Sequence, residues 1–409
     1  MDNSSISLLN KSKNILFANH LSQKEFFGGA ELSLLWLAKK MNDSPGFHSY
    51  FLSNENGEIV AQAKKLNIKV LITPYELMWD MLRSAPDIRH AFNNHLNSHS
   101  HTISRLKELM IENMIGLVIV NCVVNIMPAV AAKQLNIPVL WLIHEVLDAF
   151  SDKKQKKHNV LFHRHDKHHI NHILNEYADY LIFNSRKSYR SFALRRHLST
   201  KSTVNMPPVR DSLYEDSTRF QRKGRHNYHA IGFAGIFVKH KGILDFINAA
   251  MEIKKSIKNV KFILCGATPH SSYLETIKDM IRNHNLTSEI AILGLIEDMR
   301  IFYREIDIFV MPSLYEEPFG IVVAEAMSYG IPVIVYKSAG VTEIIRNKIN
   351  GFVIEPGYKN ITRKVIDLIK NPQRYSRIAS KAKETISDRL LPEHVFSKYA
   401  TIIQTFFNT

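Results

Sequence analysis

Cysteine is scarce in this sequence, with only two among 409 residues, Cys122 and Cys265. Each lies in a strand-like run rich in β-branched residues, where a cysteine behaves as a small apolar side chain. We therefore expect both cysteines to be buried. A catalytic thiol or a disulfide is not expected in a reducing compartment.

Long apolar segments are also missing. The most apolar run, residues 115–132, is interrupted by Asn121, Asn125 and Pro128, whereas a membrane span needs about 20 cleaner residues. The first residues, MDNSSISLLNKSK, are polar and lack the apolar centre of a signal peptide. The sequence therefore predicts a cytoplasmic protein that starts with a flexible extension, residues 1–12.

Two informative motifs are absent, the dinucleotide-binding G-x-G-x-x-G and the zinc-binding H-E-x-x-H. Their absence weakens the case for a dehydrogenase and for a metalloenzyme. Instead, a glycine pair, Gly28 and Gly29, separates a strand (13–19) from an amphipathic helix. The pair is either a tight turn that needs glycine or a backbone-lined pocket for an anion or a sugar.

The charge is strongly of one sign: 53 Lys and Arg against 38 Asp and Glu give a net charge of +15. This excess indicates a polyanionic partner, such as nucleic acid, an acidic membrane surface or a phosphorylated substrate. A nucleic-acid-binding surface would interleave basic residues with exposed aromatics. Because the aromatics here fall inside apolar strands and helices, no nucleic-acid partner is expected.

A basic strip, residues 151–172, contains the runs KKQKKH and HRHDKHHINH. Its pairs His165–His169 and His168–His172 have helical i, i+4 spacing, which raises the question of zinc. No other ligand pattern supports a metal there. We expect a solvated helix or a face for an acidic acceptor or lipid headgroups, which would allow peripheral association with an anionic membrane.

The order of predicted elements is that of a doubly wound parallel α/β fold, repeated twice. A length of 409 residues exceeds one ordinary core, so two domains of about 200 residues are expected. After the extension, we predict a first Rossmann-like domain (13–210), a linker (211–228), a second Rossmann-like domain (229–388) and a C-terminal helix that returns to the first domain (389–409).

Polar residues follow two of the apolar strands. The run PVLWLIHE (138–145) ends in His144, which would lie at the carboxyl end of a strand, where ligands bind in such sheets. It could line a site or serve only in packing. In the second half, Gly235 lies in a strand predicted over residues 230–237, and Lys241 precedes a helix. Lys241 could neutralise a diphosphate or be an ordinary surface lysine.

The stretch MPSLYEEPFGIVVAEAMSYG (311–330) carries the strongest signal. It predicts the end of a buried strand, a polar loop and a helix that opens near Gly320 and stops at Gly330. Pro318 disfavours a helical conformation for Glu317, which places that acid on the loop.

The helix would then carry Glu325 on its second turn. Its first amides, those of Gly320, Ile321 and Val322, would form a seat for phosphate. A phosphate seat between two hydroxyl-binding carboxylates fits a nucleotide-sugar, which is our working hypothesis.

These segments together resemble the family-4 retaining glycosyltransferases, which have the GT-B fold. GFAGIFVKHKG is similar to the family's strand–loop–helix with its phosphate lysine, LGL (293–295) resembles the loop that reads the base, and the segment from 311 resembles the E-x7-E hallmark. The match is strong over about residues 230–357. In the first half it depends on GGAE (28–31) and on the IHE that ends one strand.

The resemblance implies two Rossmann-like domains facing across a cleft, an acceptor domain followed by a donor domain. The catalytic group would comprise Lys241, which stabilises the departing diphosphate, Glu317, which contacts the transferred sugar, and His144, which contacts the sugar or the acceptor. Glu325 would bind the ribose hydroxyls. The rest of the donor site would consist of Gly28, Gly29, Gly235, Leu295, Phe319, Gly320, Ile321 and Val322.

One position departs from the family pattern. The family often has arginine directly after the strand glycine, where this chain has Ile236. Lys239 or His240 could replace that cation. The neighbouring Glu316 competes for the first acidic role, but only Glu317 gives the seven-residue spacing to the second acid.

The activity that the resemblance implies is a retaining, metal-independent transfer of a sugar from a nucleotide-sugar to a glycan or lipid-linked acceptor in cell-surface polysaccharide biosynthesis. No cofactor would be required. The alternatives are a nucleotide-sugar epimerase of the same fold, a basic nucleic-acid-binding protein and an inactive relative that only binds.

Overall fold

The computed structural model describes residues 12–21, 28–78, 88–147, 166–192, 198–221, 227–337 and 340–408. The chain divides into two compact units. The first unit comprises Met1–Met206 and Val395–Thr409, and the second comprises Pro207–His394. Each unit contains one parallel sheet with helices between successive strands, as the alternating pattern predicts.

The strands of the first unit are β1 (Asn14–Ala18), β2 (His48–Ser53), β3 (Lys69–Ile72), β4 (Ile115–Asn121), β5 (Val139–Ile143), β6 (Tyr180–Phe183) and β7 (Lys201–Val204). Its helices up to residue 192 are α1 (Gly29–Asn42), α2 (Glu58–Lys65), α3 (Ile88–Ser98), α4 (Ser100–Glu112), α5 (Met127–Gln134), α6 (Asp166–Tyr177) and α7 (Arg186–Phe192). The seven strands lie in the order β3-β2-β1-β4-β5-β6-β7.

Burial explains the central strands. Every residue of β4 and β5 is buried, as expected for a parallel sheet that is covered on both faces. Alternate residues of β1 join different cores: Leu16 packs on one side of the sheet and Phe17 on the other. Both cysteines are buried free thiols, as predicted.

The second unit contains the strands β8 (His229–Ala234), β9 (Val260–Cys265), β10 (Ile290–Gly294), β11 (Ile308–Met311), β12 (Val333–Tyr336) and β13 (Phe352–Ile354). Its helices are α8 (Asp211–Arg219), α9 (Ile243–Ser256), α10 (Ser271–Asn283), α11 (Met299–Glu305), α12 (Ile321–Ser328), α13 (Tyr358–Lys370) and α14 (Pro372–Arg389). The strand order is β10-β9-β8-β11-β12-β13.

The segment predicted as a linker, residues 211–228, differs in the structure. It contains helix α8 and belongs to the second unit. The Asp216 carboxylate of α8 accepts hydrogen bonds from Arg304 Nε (3.0 Å) and from the Tyr329 hydroxyl (2.6 Å). The sequence DSLYEDSTR conceals this helix because only Leu213 and Ser217 are buried, so it shows no apolar stripe.

The last helix, α15 (Pro392–Thr405), packs into the first unit as predicted. Val395, Tyr399 and Ile403 are buried in the same apolar cluster as Leu34 of α1. Helix α7 is described to Phe192, and residues 193–197 lie outside the described residues. None of the described helices combines the length and apolar composition needed to cross a bilayer.

Each sheet has a point at which the strand order reverses. In the first sheet it lies between β1 and β4, and in the second between β8 and β11. Connections leave such a pair of strands in opposite directions, which opens a crevice outside their carboxyl ends. Most of the predicted functional residues follow β1, β8 or β11, whereas His144 follows β5 and Leu295 follows β10.

Candidate functional site

The centre of the second unit's site is an ion pair between Lys241 and Glu317. Lys241 lies in a 3-10 turn (Lys239–Lys241) after β8, and its ammonium donates to Glu317 Oε1. The hydroxyl of Ser313 donates to the same oxygen at 2.8 Å. The Glu317 side chain is only 9% exposed, and these donors offset the cost of burying its carboxylate.

The loop that carries Glu317 is fixed by backbone contacts. The Leu314 amide donates to the His240 carbonyl (2.8 Å), and the Gly340 amide donates to the Glu317 carbonyl (2.8 Å). A Cβ on Gly340 would lie 1.5 Å from the Pro318 carbonyl oxygen, so only glycine allows this approach. The loop therefore presents Glu317 in a defined position, as predicted from Pro318.

Helix α12 begins directly after this loop. Gly320 is its N-cap in the left-handed conformation (φ 79°), and Gly330 follows its end with φ 64°. The boundaries agree with those predicted. Ile321 and Val322 form the first turn behind a buried Phe319, an arrangement in which first-turn amides suit an anion.

Glu325 lies on the second turn of α12 and is 1% exposed. Its Oε1 accepts from Arg210 Nε at 2.8 Å, and its Oε2 accepts from the Tyr303 hydroxyl at 2.7 Å. Burial, followed by the Glu325 charge, raises the pKa of Tyr303 well above its usual value, so the phenol remains a donor. Each carboxylate oxygen has a second lone pair that can accept from a ligand hydroxyl.

Neither of these partners was predicted from the sequence. Arg210 stands in a polar segment that showed no periodicity, and Tyr303 looked like an ordinary core aromatic. Glu325 has apolar neighbours along its helix, and a buried glutamate usually needs a cation as its partner. The sequence therefore indicated that an arginine or lysine should lie nearby, but not which one.

Three loops at the carboxyl edge of the second sheet are joined through glycines. The Gly235 amide donates to the Cys265 carbonyl (3.0 Å), and the Gly266 amide donates to the Gly294 carbonyl (2.8 Å). A Cβ on Gly266 would lie 1.9 Å from the Gly235 carbonyl oxygen. Leu295, which follows β10, is 54% exposed at this edge.

The structure bears on the missing arginine at Ile236. The His240 ring lies 5.2 Å from the Tyr315 ring, and burial followed by the Lys241 charge lowers the pKa of His240. A histidine with a lowered pKa is mostly neutral at pH 7, which makes it a weak substitute for an arginine.

In the first unit, the glycine pair is linked to a buried acid. Gly28 precedes α1, and its amide donates to Glu31 Oε2 at 3.0 Å. Glu31 Oε1 lies 3.4 Å from His20 Nε2, and His20 Nδ1 lies 3.1 Å from Asn121 Nδ2. The Gly28 amide already donates to the Glu31 carboxylate, which would repel a ligand anion at that amide. Of the two glycines, Gly29 is therefore better suited to the predicted anion contact.

His144 follows β5 at the carboxyl edge, where the sequence placed it. Burial, followed by the charge of His20, lowers its pKa to about 3, so the imidazole is neutral near pH 7. Among the described residues, no hydrogen-bond partner reaches His144 Nε2. The neighbouring Glu145 carboxylate accepts from the Val123 amide (3.0 Å) and the His144 amide (2.9 Å), and burial raises its pKa.

The basic strip lies largely outside the described residues, as does His165. The zinc question raised by His165–His169 and His168–His172 therefore falls outside the structure. Of these four residues, His172 has a described contact: its Nε2 lies 3.7 Å from Glu176 Oε2.

The family model and the curated relatives each match part of the chain. The family model for glycosyl transferases group 1 matches residues 215–385. An uncharacterized glycosyltransferase of Methanocaldococcus jannaschii is 32% identical over 147 residues, covering 35% of this chain and 36% of that protein. The capsular polysaccharide biosynthesis glycosyltransferase CapM of Staphylococcus aureus is 25% identical over 177 residues, covering 43% of this chain and 46% of CapM. The chain therefore spans less than half the length of either relative.

Solved structures match nearly the whole chain. The Anabaena protein HepE, in complex with UDP and glucose, superposes with a TM-score of 0.76 at 20% identity, covering 95% of this chain and 99% of HepE. Sucrose-phosphate synthase from Thermosynechococcus elongatus gives a TM-score of 0.72 at 16% identity, with coverages of 97% and 99%. At these identities the likeness shows the fold. The chain therefore has the two-unit GT-B fold, and its residues 215–385 match the family model for glycosyl transferases group 1.

Proposed function

We propose that this chain is a retaining glycosyltransferase of family 4, which moves a sugar from a nucleotide-sugar to a glycan or lipid-linked acceptor. One observation carries the proposal: Glu317, on the loop that leads into α12, is paired with Lys241, and Glu325, on the second turn of that helix, accepts hydrogen bonds from two donors. A cation, helix amides and two carboxylates are the groups needed to bind a diphosphate between two sugars.

Each group has a defined part in the proposed reaction. Negative charge develops on the departing diphosphate, and the Lys241 ammonium and the first amides of α12 stabilise it. Glu317 accepts hydrogen bonds from hydroxyls of the transferred sugar and keeps those from Lys241 and Ser313. Glu325 accepts hydrogen bonds from the hydroxyls of the ribose.

Retention of the anomeric configuration follows if the acceptor attacks from the face that the diphosphate leaves. The leaving phosphate oxygen then takes the acceptor proton, so no side chain has to serve as base. His144, being neutral, would contribute a hydrogen bond to the sugar or acceptor and no charge. The reaction proposed here uses no metal and no cofactor.

A UDP-sugar is the first donor to test, because HepE, with the same fold, binds UDP. The role of CapM in capsular polysaccharide biosynthesis supports a glycan acceptor. We further propose that the basic strip brings the protein to anionic lipid surfaces. Sedimentation with vesicles that is indifferent to acidic lipid and to salt would refute that part.

Thermal-shift measurements with UDP-, GDP-, ADP- and dTDP-sugars test donor binding. A ligand at a hundred times its Kd adds about 2.7 kcal/mol to the free energy of unfolding. Glu325→Ala is the matched control and should lose most of the shift. NMR of the product then reports the anomeric configuration. No shift with any donor, or an inverted product, would contradict the proposal.

A further inference from the structure

Three potential metal ligands meet in the first unit, apart from the residues discussed above. Among the described residues, Glu76, His95 and His99 offer ligand atoms that all lie within 4.8 Å of one another. His95 lies in α3, His99 joins α3 to α4, and Glu76 lies in the segment after β3. The three ligands therefore come from different parts of the chain.

The position of Glu76 is fixed from both sides. The Tyr75 hydroxyl donates to the Asn19 carbonyl, and the Met78 amide donates to the Val124 carbonyl at 2.9 Å. The Glu76 side chain itself is 70% exposed, so an ion could reach it from solvent.

The hydrogen bonding of His99 leaves its Nε2 atom with a lone pair that can bind a metal. His99 Nδ1 lies 2.8 Å from the His95 carbonyl oxygen, which can only accept, so the proton belongs on Nδ1. Such a bond to a carbonyl is the usual support behind a metal-binding imidazole. The lone pair is then on Nε2, which lies 3.1 Å from Glu76 Oε2. Two ligands bound about 2.0–2.1 Å from one zinc ion have a separation close to this.

His95 supplies the third ligand atom. Its ring lies 4.4 Å from that of His99, centroid to centroid. The Nε2 atom of His95 is buried, and no hydrogen-bond partner reaches it within the described part of the chain.

We propose that Glu76, His95 and His99 bind one divalent transition-metal ion, with a fourth position left to water. Two imidazoles and a carboxylate suit Zn²⁺ and disfavour Mg²⁺ and Ca²⁺, which prefer oxygen ligands. The ion would tie the segment after β3 to the junction of α3 and α4. This structural role is independent of the transfer reaction proposed above.

The test must separate this site from the many other histidines. The full chain is stripped with EDTA, loaded with Zn²⁺ and crystallised, and anomalous scattering at the zinc edge locates each ion. We expect a peak between Glu76, His95 and His99. In equilibrium dialysis, Glu76→Gln and His95→Gln should each lower the affinity for one equivalent of zinc by more than about tenfold. His101→Gln, an exposed histidine on α4, is the matched control and should bind zinc like the parent chain.

Two further measurements keep the test decisive. Far-UV circular dichroism of the metal-free variants reports whether they fold, and Glu76→Gln changes only an exposed side chain. Zinc should raise the Tm of the parent chain more than that of Glu76→Gln. Zinc found only on residues 151–172, or a zinc equivalent that is unchanged in both Glu76→Gln and His95→Gln, would overturn the proposal.

Discussion

Replacing Arg210 by glutamine tests how the buried Glu325 is stabilised. The Arg210 guanidinium is the cation that hydrogen-bonds to this carboxylate, which is 1% exposed. Glutamine retains a donor but removes the charge. The variant therefore leaves a buried carboxylate whose remaining described hydrogen bond comes from the Tyr303 hydroxyl.

The size of the effect follows from burial. Removing one partner of a buried ion pair costs about 3–5 kcal/mol, because the other charge is left uncompensated. The Arg210 side chain is 25% exposed and Tyr303 continues to donate, so we expect the lower end, about 3 kcal/mol. With a urea m-value of about 2–3 kcal/mol/M, the unfolding midpoint of the second unit should fall by about 1 M or more.

The distribution of tryptophan makes this measurable. All three tryptophans, Trp36, Trp79 and Trp141, lie in the first unit, so their fluorescence follows that unit, whereas far-UV circular dichroism follows both. Arg210→Gln should shift the dichroism transition to lower urea and leave the fluorescence transition in place.

The control is Arg282→Gln, which breaks an exposed pair with Asp279 and should change stability by less than about 0.5 kcal/mol. Adding Glu325→Gln to Arg210→Gln removes the uncompensated charge and should recover part of the loss. Equal dichroism midpoints for Arg210→Gln and Arg282→Gln would refute the reasoning. Under the proposed function, Arg210→Gln should also raise the donor KM more than it lowers kcat.

Three further predictions follow from individual positions. Glu317→Gln should mainly lower kcat, by about a hundredfold, and Glu325→Ala should mainly raise the donor KM; equal activity in either variant would contradict the roles assigned. Gly242→Ala places a Cβ 1.9 Å from a backbone oxygen, whereas the Cβ of Gly294→Ala meets nothing within 4 Å. The two glycines have similar φ angles, 72° and 69°, so the first variant should lose several kcal/mol more of the free energy of unfolding than the second. Comparable thermal unfolding of the two variants would argue against this. His144 has a pKa of about 3 when folded and an ordinary value near 6.5, so the unfolded chain binds the extra proton between these values. The stability of the first unit is therefore full above about pH 6.5 and falls as the pH drops, and His144→Gln should flatten this loss in urea titrations followed by tryptophan fluorescence.

Periodicity was sufficient to predict the fold. Buried parallel strands are continuous apolar runs, which is why the fully buried β5 was evident in the run PVLWLIHE, with His144 directly after the strand. Strand ends were less accurate: the strand predicted over 230–237 ends at Ala234, because Gly235 leaves the extended conformation with φ 152°. Helix α8 was missed because it buries too few apolar residues to show a stripe.

The candidate site was predictable where local sequence determines position. The loop is set by Pro318, the start of the helix by Gly320 and its end by Gly330. The placement of Glu317 on the loop and of Glu325 on the helix therefore followed from the sequence. Contacts between distant residues left no such signal. Arg210 and Glu325 are 115 positions apart, and His20 and Asn121 are 101 positions apart. Pairing over such separations is a product of the strand order, which the sequence pattern does not give.

Under the proposed function, the ion pair of Lys241 and Glu317 explains how one lysine can serve where the family that this chain resembles often has two cations. A glutamate next to a phosphate site would repel the donor unless its own charge were held, and Lys241 holds it in the free protein. Donor binding brings phosphate charge to the same ammonium, which can form three hydrogen bonds and so contact both partners. Because Ser313 also donates to Glu317, the carboxylate keeps a partner when the lysine turns toward phosphate. Loss of the Ser313 hydroxyl should therefore affect turnover through Glu317, and an arginine at Ile236 should tighten donor binding without restoring a Glu317 variant.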